Sequence, residues 1–142
     1  MMQAIQVENP GSDYRLTLGE ISRPAPGKNE VLIRIAAAGI NHADMLQARG
    51  HYPPPPGAPA TLGMEVSGEI VELGEGVEGL ANGMRVCALL AGGGYAAFAV
   101  ASAFCVLPVP DKIDLVDAAG LPEAFFTVWT NLMDAARLKP GD

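Results

Sequence analysis

The chain has 142 residues, 49% of them apolar and 18% charged, which suits one packed domain that buries roughly two thirds of its unfolded surface. Its formal net charge of -7 excludes the basic stripe that a nucleic-acid partner needs. No basic and apolar leader opens the sequence, so a cytoplasmic location is expected.

Tyr14, Leu16 and Leu18 alternate with Arg15, Thr17 and Gly19 and predict a strand, and Val31, Ile33 and Ile35 predict another. The turn signals NPGSD at 9–13 and RPAPGKNE at 23–30 separate these runs. Further strands are predicted at 65–73, 84–90 and 94–107. So many short strands at close spacing point to an antiparallel barrel or sandwich.

Between these strands lies GINHADMLQARGHYPPPPG at 39–57, which holds both histidines of the chain. Asn41 is suited to cap a short helix, with Asp44 at its third position and Gly50 closing its turn. His42, Asp44 and His51 are candidate metal ligands, with Cys87 and Cys105 as distant thiolates. No tight pair anchors them, and residues two apart on a helix point in different directions. Local capping accounts for Asn41 and Asp44 without a metal.

Glu65 in TLGMEVSG places an acid at the start of an apolar strand, where its carboxylate must find donors. The plain reading is a buried glutamate tied to backbone or to an arginine. The string GEGVEG at 74–79 has the spacing of a dinucleotide fingerprint. The run that follows is strand-like, and Glu75 and Glu78 would repel phosphates, so it reads as a hairpin loop.

From 86 to 110 no residue is charged, but Gly92, Gly93 and Gly94 divide the run into halves too short to span a bilayer. No membrane role is expected. Cys87 and Cys105 fall inside the predicted strands and read as buried free thiols. The pattern then changes to helix. Asp114 with Asp117 predicts a capped start, and 122–138 predicts a longer helix with Phe125, Trp129, Leu132, Met133 and Ala136 on one face. Glu123, Thr127, Asn131 and Asp134 lie opposite. The closing KPGD is a turn that introduces a further element, so the sequence reads as a piece of a longer chain.

Together, VLIRIAAAGINHADMLQARGHYPPPPG, LGMEVSGEIVELGEGVEGLANGMRVCALLAGGGYAAFAV and AAGLPEAFFTVWTNL resemble the medium-chain dehydrogenase/reductase superfamily over the whole chain. The likeness is greatest to its zinc-independent, zeta-crystallin-like quinone oxidoreductases. It implies a mainly β, GroES-like, partly open barrel over 1–142, the catalytic domain, whose C-terminal helix leads toward a Rossmann domain absent from this sequence.

The resemblance also implies that zinc is lacking. Asn41 and Met64 stand where the zinc alcohol dehydrogenases have cysteine and histidine, the third ligand falls near Glu123, and CALLAGG replaces the four-cysteine lobe. An amide and a thioether do not substitute for a thiolate and an imidazole on zinc. The expected cofactor is NADPH, with most of its site beyond this chain. The resemblance assigns Asn41, His42 and Thr127 to the cofactor, Tyr52 and Met64 to the substrate, and catalysis to Tyr52 with Asn41. It implies a quinone or conjugated carbonyl as substrate and, for the full-length protein, a homodimer, with this piece monomeric and inactive alone. Two alternatives remain open: a zinc-independent enoyl or alkenal reductase, and a non-catalytic GroES-like binding module.

Overall fold

Residues 1–141 are described by a computed structural model, and they form two antiparallel sheets. Strands β1 (Met2–Glu8) and β2 (Arg15–Ile21) make a ribbon in unbroken register from Met2 opposite Ile21 to Glu8 opposite Arg15. The predicted strand around 14–19 is the second of this pair. The first is not marked in the sequence because Met2 and Ala4 are its only buried residues and glutamines lie between its apolar ones. The NPGSD turn joins the two strands with Asn9 and Gly11 at positive φ, 49° and 141°.

The main sheet contains β3 (Glu30–Ala38), β4 (Glu65–Leu73), β5 (Arg85–Leu89), β6 (Phe98–Ser102) and β7 (Val106–Pro108), in the order β6-β3-β4-β5-β7. Register shifts between Leu32 and Ile33 and between Ile35 and Ala37 bend β3 against β4 and curl the sheet. Val31, Ile33, Val66, Ile70 and Val86 are buried on its concave side, each stabilising by about 1.5–3 kcal/mol relative to exposure. The ribbon attaches through Ile5 N donating to Tyr95 O at 2.8 Å and Ala97 N donating to Gln3 O at 2.9 Å.

The single strand predicted at 94–107 is corrected to two strands on opposite edges of the sheet. A 3-10 turn, Ala103–Cys105, lies between them. At most about 3.5 Å of chain per residue is available, so so short a link requires the two edges to lie close together. That is how the sheet becomes a partly open, GroES-like barrel. Ala103 N is held by Asn29 O at 2.9 Å, which breaks the run of alternation where the chain turns. Cys105 falls in this turn and is half-buried, whereas Cys87 is buried in β5. The predicted place of Cys105 inside a strand, as a buried thiol, is therefore corrected. The GEGVEG string is the β4–β5 loop, as read, with Gly76 and Gly79 at φ 79° and 75° and no helix after them.

Three helices complete the fold. They are α1 (His42–Ala48), α2 (Leu115–Ala118) and α3 (Pro122–Trp129). Asp114 caps α2 as expected, accepting from Val116 N at 2.7 Å. The uninterrupted helix predicted at 122–138 does not form. After Trp129 the chain widens into a π-helical stretch, Thr130–Ala135, and Arg137 turns to φ 55°. Asn131 Nδ2 donates to Thr127 O at 2.8 Å and so competes for the carbonyl that the α-ladder would use. Among the described residues no helix is long and apolar enough to cross a membrane.

Candidate functional site

Helix α1 is short, and what holds it is its N-terminus. Asn41 N donates to Asp44 Oδ2 at 2.8 Å and Asp44 N donates to Asn41 O at 3.1 Å, which closes the first turn as the capping pattern predicts. Asp44 does more than cap. It is 2% exposed, and it also accepts from Gly63 N at 3.1 Å and from the Tyr95 hydroxyl at 2.8 Å. One carboxylate thus binds the loop before β4 and the loop before β6 to the start of α1. Burial, and then the hydrogen bond to the Asp44 carboxylate, push the Tyr95 phenol well above its ordinary range. Tyr95 lies within GGGYAAFAV. No local pattern marks its partner, which lies 51 positions away.

A second buried carboxylate lies beside the first. Glu65, at the start of β4, is 3% exposed. Its Oε1 accepts from Asn41 Nδ2 at 2.9 Å, and its Oε2 accepts from Glu123 N in the first turn of α3, also at 2.9 Å. The expectation of a backbone partner holds, and the second partner is an amide side chain rather than an arginine. Gly39 makes room for this arrangement, since a Cβ there would come within 2.1 Å of Glu65 Oε1.

The sequence-derived site residues distribute unevenly around this corner. Asn41 is half-buried and bound into it, and Met64 is buried immediately before Glu65. His42 is exposed at the first position of α1. Thr127 is exposed on α3, four residues after Glu123 and so one turn along the same face. Tyr52 is 46% exposed in the loop between α1 and β4. A separate apolar groove of about 640 Å³, lined by Cys87, Leu107, Val109, Ile113, Phe125 and Trp129, contains none of the five. Burial raises the Cys87 thiol above its usual range, which makes it a poor nucleophile at neutral pH.

The residues present fit one end of a dinucleotide. Asn41 carries an amide and Thr127 an exposed hydroxyl, groups able to pair with a nicotinamide carboxamide. No glycine-rich turn opens a helix among the described elements, as a pyrophosphate site would need. Among the described residues no group of three or more His, Cys, Asp or Glu side chains is placed to hold a metal ion.

The alcohol dehydrogenase GroES-like domain family matches residues 27–111. The chain belongs to this family, and through it to the medium-chain dehydrogenase/reductase superfamily. The quinone oxidoreductase of Rattus norvegicus is 34% identical over 144 residues, covering 100% of this chain and 44% of that protein. Polyketide synthase GfsB of Streptomyces halstedii is 41% identical over 140 residues, covering 97% of this chain and 2% of that protein. The crystal structure of CurK enoyl reductase superposes with a TM-score of 0.85 at 30% identity, over 99% of this chain and 45% of that one. The chain therefore spans less than half the length of these relatives.

Proposed function

We propose that this chain is the catalytic domain of an oxidoreductase that reduces quinones or related conjugated carbonyls with NADPH and without zinc. The observation that carries the reading is the donor set at the Asn41 corner. Where zinc relatives need a thiolate and an imidazole, this chain has an amide whose nitrogen is turned toward Glu65 and a buried thioether at Met64. Quinones accept electrons readily and do not need a Lewis acid to polarise them.

NADPH would supply the hydride, and its pyrophosphate would be bound outside this chain. The work of the residues here is positioning and charge stabilisation. Asn41 and Thr127 orient the carboxamide end of the nicotinamide, and His42 borders the same edge. Tyr52, on the proline-stiffened loop, donates a hydrogen bond to the substrate oxygen on which negative charge develops. Met64 gives the substrate site an apolar floor. The protein acts in the cytoplasm as a homodimer in its full-length form.

The second reading is an enoyl reductase, favoured by the likeness to CurK enoyl reductase and to a polyketide synthase. An acceptor screen on the full-length protein separates the two. A quinone reductase consumes NADPH with naphthoquinones at a kcat/KM at least about tenfold above that with 2-enals or enoyl thioesters, about 1.4 kcal/mol in transition-state binding. The reverse order would establish the enoyl reading. Tyr52→Phe and Asn41→Ala should each lower quinone kcat/KM by about 10–100-fold. Unchanged kinetics in both would remove these residues from the mechanism.

A further inference from the structure

A buried carboxylate with two partners on two different helices does something that no amide at the same place could do. Glu65 is almost wholly buried, and each of its oxygens accepts from one N–H donor, Asn41 Nδ2 and Glu123 N. Pro122, the first residue of α3, has no N–H. The Glu123 amide is therefore the first donor the helix can offer. The positive end of the helix also favours an anion at this point.

An ionised carboxylate only accepts. Facing Asn41, it therefore selects one of the two ways round for the amide, with the nitrogen turned to Glu65. At the same time it ties the start of α1 to the start of α3, whose next turn carries Thr127.

We infer that Glu65 is the positioning residue of the nicotinamide corner: it fixes the sense of the Asn41 amide and the placement of α3, so that Asn41 and the Thr127 hydroxyl face the cofactor together. This rests on the proposed role of Asn41 toward a nicotinamide. Glu65 itself touches neither cofactor nor substrate.

The test uses the full-length protein and two independent readouts. In the first, the Asn41 side-chain NH2 signal is followed in 15N spectra, where its hydrogen exchange should be slow in the wild type. Glu65→Gln brings an NH2 group to face one of the two donors. The Asn41 amide should then turn over, and its NH2 should exchange at a solvent-exposed rate. In the second, the Kd for NADPH, measured by fluorescence titration, should rise about tenfold in Glu65→Gln. Adding Asn41→Asp reverses the polarity of the pair, with the glutamine donating and an aspartate oxygen accepting. That double variant should return the Kd to within about threefold of wild type. A residue serving stability alone would move the melting temperature and leave the NADPH affinity of the folded variants unchanged.

If Glu65→Gln keeps the Asn41 amide protected and the NADPH affinity of wild type, the inference is overturned. If Glu65→Gln does not fold, Asn41→Asp alone sets two carboxylates against each other; unaltered affinity in that variant overturns the inference as well. If the wild type binds neither NADPH nor NADH, the proposed function falls, and the Asn41 signal then decides the positioning role by itself.

Discussion

Tyr95 shows how one side chain can make this corner depend on pH. Its phenol is held by Asp44, and its pKa lies well above the ordinary 10.0. Folding thus favours the protonated form. That contribution is complete below pH 10 and is lost as pH rises from there toward the folded-state pKa, because the unfolded chain ionises first. Stability measured by denaturant titration should therefore decline above about pH 10, and Tyr95→Phe should flatten that decline while costing about 1 kcal/mol at neutral pH. A slope unchanged by the substitution would show that another group titrates. At this scale the sequence is legible where partners are close in the chain. Asn41 with Asp44, and Asp114 with the start of α2, follow from residue type and spacing alone. The partners of Glu65 and Tyr95 lie 24 to 58 positions away, and only the folded barrel brings them together.

At the scale of elements, the central strands were readable because β-branched residues alternate or run together where both faces are buried. The errors fall where one hydrogen bond interrupts a uniform local pattern: a tertiary one from Ala103 N to Asn29 O at the 3-10 turn between β6 and β7, and a local side-chain one from Asn131 to Thr127 O at the π-helical end of α3. The joint between α1, β4 and α3 depends on close approach at Gly39. A methyl group there would overlap Glu65 Oε1 and push the carboxylate away from both helices. Gly39→Ala should therefore lower stability by about 2 kcal/mol or more. Calorimetry on the purified chain checks this, and a change below about 0.5 kcal/mol would mean that β4 and the loop before α1 shift easily to make room.

For the whole molecule, the barrel confines burial to one side and leaves apolar surface on the other. Phe125, Val128 and Trp129 are 64%, 51% and 61% exposed, beside the groove over Cys87 and Val109. Of the apolar face predicted over 122–138, Phe125 and Trp129 lie on α3 and line this groove, whereas Leu132, Met133 and Ala136 follow the change to π-helix, where that spacing no longer holds. The isolated chain should bind a hydrophobic dye such as anilinonaphthalene sulfonate. The double substitution Phe125→Ser, Trp129→Ser should reduce that binding with a stability change within about 0.5 kcal/mol, as exposed sites permit. A large loss of stability would show that the stripe is packed in solution. The family resemblance was readable from the order and distances of three segments, and the match over residues 27–111 agrees with it. The identity of the acceptor is not readable in the same way, because relatives that share this barrel include a quinone oxidoreductase and an enoyl reductase.

The most direct measurement is a crystal structure of the full-length protein with NADPH bound. The expected result places the nicotinamide carboxamide within hydrogen-bond reach of Asn41 and Thr127, with the Asn41 nitrogen still on Glu65. A nicotinamide bound elsewhere, with Asn41 and Glu65 making only their contacts to each other and to α3, would contradict the assignment of this corner.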